Sequence, residues 1–256
     1  MAHWSRIVAG VRLALTTLTV APLRAGVVDR STAGIAMSIA PGVGAVLGTI
    51  AAAVGLGAHA LGASPFLAGV LTVASAAVLS RGLHLDGLAD TVDALGSYRD
   101  RDGALAIMRR PDIGPFGVTA VALVLLTQVA AAASILTRPS WAALASIVAA
   151  TMTGRVAISL ACRRGVPSAR SEGLGWLVAG TVHPVAIAIG TLATAAVAIA
   201  AVPGRPAQGP LAVAFGLGSV LVLLRHAIRR LGGVTGDIIG AVCELSVTVS
   251  YAVVSM

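Results

Sequence analysis

The 256-residue chain contains no lysine, so all eighteen of its basic residues are arginine. That absence excludes a Walker-type phosphate loop, a Schiff-base enzyme and a Ser–Lys dyad. Only ten residues are acidic, and charged residues make up 11% of the chain. Soluble domains are about 25% charged, so this composition does not describe one. With two cysteines, Cys162 and Cys243, each in or beside an apolar run, neither a disulfide framework nor a thiolate zinc site is expected.

What the chain has in excess is apolar surface: 57% hydrophobic residues and a mean hydropathy of +0.94. So much apolar surface calls for lipid and predicts an all-α, polytopic integral membrane protein. A β-barrel would show alternating segments of roughly ten residues, whereas these runs are continuous. Seven stretches reach the ~20 residues needed to cross the hydrocarbon. They run over 35–59, 65–83, 116–136, 141–162, 174–202, 211–228 and 237–250, and His183-Pro184 interrupts the fifth. Residues 1–33 read as an uncleaved interfacial or re-entrant segment, because Arg12 and Arg24 flank the short apolar stretch and no clean cleavage site follows. The glycines at 42, 44, 48, 55 and 57 read as helix-packing positions, since no strand pattern precedes them. The whole chain, 1–256, reads as a single membrane-embedded domain.

The arginines set sidedness. Fifteen fall in segments on one face of the membrane, only Arg138 and Arg205 on the other, and Arg155 lies within the fourth span. The positive-inside rule then gives a cytoplasmic N-terminus and an outer C-terminus in a bacterial inner membrane. Topology accounts for the +8 charge without nucleic acid. Nine of the ten acids fall on the cytoplasmic side, and Glu244 lies two turns into the last span. Topology does not require that clustering. Chemistry at the cytoplasmic mouth does.

The stretch LHLDGLADTVDAL (83–95) holds Asp86, Asp90 and Asp93 at i, i+4 and i+7. On a helix these fall within about 60° of arc, where like charges repel. The triplet is either a solvated acidic segment or a site for a hard divalent cation such as Mg2+. Gly87-Leu88-Ala89 leaves small side chains beside the acids, room for a phosphate to approach. MRRPDIG (108–114) adds Arg110 and Asp112, and RSEG (170–173) adds Arg170 and Glu172. GGVTGD (232–237) is a glycine-rich turn feeding a helix at Asp237, a form that can present N–H groups to an anion. Glu244 is a functional candidate by its depth, or a packing partner for Arg155. His84 is a candidate base or ligand, or an interfacial packing residue.

Taken in order, LHLDGLADTVDAL, RDGALAIMRRPDIGPFGV, ARSEGLG and GGVTGDIIGAVCEL resemble the cobalamin synthase family, the adenosylcobinamide-GDP ribazoletransferases. The likeness runs from about Pro41 to the C-terminus; LALTTLTVAPL, before it, departs from the family pattern. The resemblance implies a magnesium-dependent membrane enzyme that joins adenosylcobinamide-GDP to α-ribazole, or its 5′-phosphate, and releases GMP. It places Asp86, Asp90 and Asp93 in the family's acidic motif and Asp237 in its Gly-Asp motif. Asp86, Asp90 and Asp93 are then the expected metal ligands. Asp93, His84 and Asp237 are the expected catalytic groups. Arg110, Asp112, Arg155, Arg170, Glu172 and Glu244 are the expected substrate contacts. The expected partners are the two substrates and membrane lipid; a homo-oligomer is permitted by the sequence but not required. Two other readings share the clustered acids: a CDP-alcohol phosphotransferase, whose signature carries an arginine where Ala89-Asp90 stands here, and a secondary transporter, which places its acids near the bilayer midplane.

Overall fold

A computed structural model describes residues 2–24 and 26–256, and among these no strand occurs, only twelve helices and their turns. In chain order these are α1 (Ala2–Leu18), α2 (Arg30–Ser38), α3 (Ala40–Ala60), α4 (Pro65–Leu79), α5 (Leu83–Gly96) and α6 (Arg101–Ile107). They continue with α7 (Pro115–Ile135), α8 (Ser140–Ala161), α9 (Gly173–Val178), α10 (Pro184–Ala198), α11 (Gln208–Leu231) and α12 (Gly236–Ser255). The all-α expectation holds.

The count of seven crossings is not confirmed by helix length. Five helices (α3, α7, α8, α11 and α12) are long and apolar enough to cross a membrane, and the bent pair α4–α5 brings the count to at most six. The bend is 88° and follows Arg81 and Gly82, both in the left-handed region at φ 57° and 65°. A helix cannot continue through two such residues, so α5 turns aside instead of extending the crossing. The fifth expected span is broken where its proline stands. α9 ends at Val178, and α10 begins at Pro184 with His183 Nδ1 accepting from the Val185 amide. At 15 residues α10 is about 22 Å long, yet its flanks pair with Cys162 at one end of α8 and, through the Ala201 carbonyl, with Ser146 and Arg138 toward the other, so it runs alongside α8. The first expected span likewise divides at Ile39 into α2 and α3.

α8 forms the centre of the bundle and is buried along nearly its whole length. Small residues let α3 lie against it: a Cβ on Gly44 would meet the Thr151 carbonyl at 2.9 Å, and one on Gly48 would meet the Val148 Cα at 2.9 Å. Gly69 does the same between α4 and α7. Gly42 and Gly57 face open space, so the packing role expected of all five early glycines belongs to Gly44, Gly48 and Gly55. The expected interfacial segment contains α1, which docks on α2 through Gly10 against Ile35 and sends Leu13, Ala14 and Leu18 into the core. Met1 and Ala25 of that segment lie outside the described residues.

One carboxylate ties α5 to α7. Asp93, 8% exposed, accepts the Gly114 amide at 2.7 Å on one oxygen and the Gly117 amide at 2.9 Å on the other. It thereby satisfies amides that the start of α7 leaves without helical partners and meets the positive end of its dipole. Asp93→Asn should lower stability by about 1–3 kcal/mol, because an amide leaves one of those N–H groups without an acceptor. Asp86→Asn, at an exposed side chain with no hydrogen bond among the described residues, should stay within about 0.5 kcal/mol of wild type. Thermal unfolding in detergent distinguishes the two.

Candidate active site

α5 is clasped from two sides at van der Waals distance. A Cβ on Gly87 would lie 2.7 Å from the Asp237 carbonyl oxygen and 2.9 Å from its Cα. One on Gly240 would lie 3.2 Å from the His84 Cα. From α7, Gly117 approaches the Ala89 carbonyl just as closely, at 2.9 Å. Gly87 therefore serves helix contact, not the phosphate access its small size suggests. The contact sets the acids of α5 beside Asp237 at the start of α12.

Two further segments are tied to that start. The Ala169 amide donates to the Val234 carbonyl at 3.0 Å, and the Val234 amide donates to the Pro167 carbonyl at 2.9 Å. This pairing holds the arginine-glutamate loop along the glycine-rich turn and brings Arg170 Nη1 within 3.9 Å of Asp237 Oδ2. Arg170 also donates to the Leu105 carbonyl, and Arg101 donates to the Leu231 and Ala169 carbonyls, so α6 closes the same corner. Thr235 caps α12, its hydroxyl accepting from the Ile238 amide and donating to Asp237 Oδ2. The turn's Gly232 and Val234 amides are already engaged by protein carbonyls, which leaves less of it for an anion than the sequence suggests.

Two hollows flank α5. A partly open cleft of about 250 Å³ is lined by His84, Asp86, Arg170, Glu172 and Asp237, which come from three of the four motifs, all but MRRPDIG. An open trough of about 610 Å³ is lined by Asp86, Asp90, Arg110 and Asp112. Asp86 lines both. Glu172 pairs with Arg109 at 3.3 Å, an exposed contact of small energetic weight. Asp93 keeps its place beside Asp90, but its oxygens are engaged by α7 as described.

Arg155 and Glu244 do not reach either hollow. They line a cavity of about 30 Å³ inside the bundle with Gln128 and Tyr251, and Gln128 donates to Glu244 at 2.9 Å. Both stand mid-helix on α8 and α12, more than a turn below the mouth, so the substrate contact expected of them gives way to an interior polar network. His84 lies at the boundary. Its ring is 2% exposed, and neither nitrogen has a hydrogen-bond partner among the described residues. It lines the cleft, yet one of its nitrogens lies with Cys243 Sγ and a Glu244 oxygen inside 4.8 Å. Among the described residues this is the one set of three ligand-type side chains already converged. The neighbouring positive charge of Arg155 acts on all three and disfavours a cation there.

The acids at the mouth are crowded rather than converged. Burial first, then the charges of Asp237, Asp86 and Asp93, push the Asp90 carboxyl up to about 6 against the pull of Arg170. Asp86 and Asp90 accept no hydrogen bond from the described residues, leaving their oxygens free. Several contributors to this site carry no signal in the sequence. Thr17 and Leu18 at the end of α1, and Met37 of α2, line the cleft, and Arg81 lines the trough while donating to the Thr16 carbonyl. A long-range approach of α1 leaves no local pattern to read.

Comparison with known proteins gives a consistent result. The family described as cobalamin-5-phosphate synthase matches residues 10–255. An adenosylcobinamide-GDP ribazoletransferase of Frankia casuarinae is 42% identical, over 96% of this chain and 94% of its own length. Relatives of the same name from a Nocardioides species and from Corynebacterium efficiens are 41% and 36% identical, over 92% and 96% of this chain and 93% and 91% of their own. No solved structure matches the chain.

The raised Asp90 pKa has a sign that can be checked. A carboxyl whose folded pKa exceeds its unfolded value of 3.8 opposes folding when ionised, and the opposition is relieved as pH falls through about 6. Cation-free protein should therefore gain thermal stability relative to Asp90→Asn as pH is lowered from about 7.5 to 5. Parallel melting curves for the two proteins across that range would contradict the assignment.

Proposed function

The chain belongs to the cobalamin-5-phosphate synthase family, and from that premise we propose that it transfers the adenosylcobinamide phosphate of adenosylcobinamide-GDP to α-ribazole or its 5′-phosphate, releasing GMP. The observation that carries the reading is the meeting of Asp86 and Asp90 from α5 with Asp237 from α12 between two separate hollows. A reaction that joins two substrates across a pyrophosphate needs two approaches to one charge-neutralising centre.

The donor set suits a hard divalent ion. Three carboxylates from two helices repel one another, and two of them accept no hydrogen bond from the described residues. Asp86, Asp90 and Asp237 would hold magnesium there, and the ion would supply Lewis-acid neutralisation of the pyrophosphate oxygens. The remaining work falls to positioning and electrostatics, as in phosphoryl transfer generally. A ribose hydroxyl oxygen of the acceptor forms a bond to the phosphorus that carries cobinamide. The bond from that phosphorus to the bridging oxygen breaks, and GMP departs with the oxygen. The hydroxyl proton passes to the oxygen of Asp86 that the ion would leave free, since Asp86 lines both hollows, while Thr235 and Arg170 orient Asp237. Arg170 and Arg110 offset the negative charge developing on either side. Asp93 acts at one remove, fixing the start of α7 and with it Arg110 and Asp112. The reading includes a bacterial cytoplasmic membrane with the N-terminus and this mouth on the inner side, following the arginine distribution.

Purified protein in detergent, given both substrates, should release GMP only with magnesium present. Asp90→Asn should remain folded and lose about a hundredfold or more in rate. Undiminished GMP release in excess chelator, or from Asp90→Asn, would remove the carboxylate centre from the reaction.

A further inference from the structure

We infer that the smaller cleft seats the acceptor nucleoside with its base inserted toward His84, and that the wider trough receives the pyrophosphate of the donor. The inference rests on the transferase reading and asks which hollow serves which substrate.

Size separates them first. The cleft holds about 250 Å³ and is roofed by the end of α1, by α2 and by α9. A corrinoid joined to a nucleotide is far larger than that, so the donor can present only its diphosphate to an open surface. The trough offers about 610 Å³ and two cations, Arg81 and Arg110, beside Asp86 and Asp90. A nucleoside is the smaller substrate and the one that a cleft of this volume can take.

The chemistry of the walls agrees. The interior of the cleft is apolar, formed by Leu18, Met37, Ile158, Val178 and Ile239. An alkylated benzimidazole has apolar faces and edges, with one unsubstituted ring nitrogen that only accepts. His84 is the complementary group. It lines this cleft, and both its ring nitrogens are shielded and lack partners among the described residues, so a turn of the ring is needed to bring one N–H to face the cleft. The single N–H of the neutral imidazole, donated to that ring nitrogen, gives one nitrogen of each ring a partner. Base recognition at His84 turns the sugar toward Asp86 and Asp237, the acids of the cleft wall. Asp86 lines both hollows, so the hydroxyl and the phosphorus meet across it. His84 is on this account a specificity-determining residue whose place is set by the α5–α12 contact at Gly240.

The test uses wild-type protein, His84→Leu and His84→Gln in detergent, with GMP release measured against each substrate in turn. The acceptors are α-ribazole and its indole riboside analogue, in which CH replaces the ring nitrogen. Wild type should prefer α-ribazole by roughly tenfold or more in kcat/KM, the weight of one lost hydrogen bond in a desolvated site. His84→Leu should lose that preference by a raised KM for α-ribazole, with the donor KM within about twofold of wild type. His84→Gln, which keeps a donor, should recover part of it. Equal use of the two acceptors by wild type, or a donor KM raised by His84→Leu, would overturn the assignment. Absence of GMP release from wild type with every acceptor would overturn the transferase reading and the seat with it.

Discussion

Where α5 meets α12, Gly87 and Gly240 leave so little room that a first side-chain carbon on either would strike the other helix's backbone. Close approach of this kind is how membrane helices associate without a hydrophobic drive between them. Here it has an electrostatic cost, because it brings two acid-bearing helices together at the bundle's mouth. The carboxyl of Asp90 is pushed up to about 6 by burial first and then by the charges of Asp237, Asp86 and Asp93, so that cost is part of its shift. Backbone packing holds the acids close, and their repulsion makes the place receptive to a cation.

The rest of the mouth is built around that contact. Gly117 and Asp93 fix α7 to the other side of α5, and the strand-like pairing of 167–169 with Val234 fixes the arginine-glutamate loop to α12. Arg101 and Arg170 reach carbonyls across α6, so this corner is held by hydrogen bonds as well as by apolar burial. The interior network of Arg155, Gln128 and Glu244 lies beneath, where unpaired charge is most expensive. Its position below both hollows sets it apart from the acids of the mouth.

Much of this was legible in the chain. The i, i+4, i+7 spacing of Asp86, Asp90 and Asp93 does lie on a helix, and the motif order joins His84, Asp86, Arg170, Glu172 and Asp237 around one cleft. What was not legible depended on the direction of approach. Asp93 is indistinguishable from its neighbours until α7 presents Gly114 and Gly117 to it. Gly87 looks like space for a ligand until α12 fills that space. Arg81 and Gly82 lie at the end of an apolar run that hydropathy continues through, yet their left-handed backbone turns the chain by 88°. The break at His183-Pro184, by contrast, could be seen because proline acts locally.

The central claim is that carboxylates from two helices share one hard cation, and manganese, which suits the same oxygen ligands, reports on it directly by its EPR signal. Titrating Mn2+ into wild type, Asp86→Asn, Asp237→Asn and Cys243→Ala compares the two helices and the buried cluster at once. The account predicts that the two aspartate variants each weaken binding by about tenfold or more, while Cys243→Ala binds as wild type does. Wild-type affinity in Asp237→Asn, or binding lost only in Cys243→Ala, would contradict it.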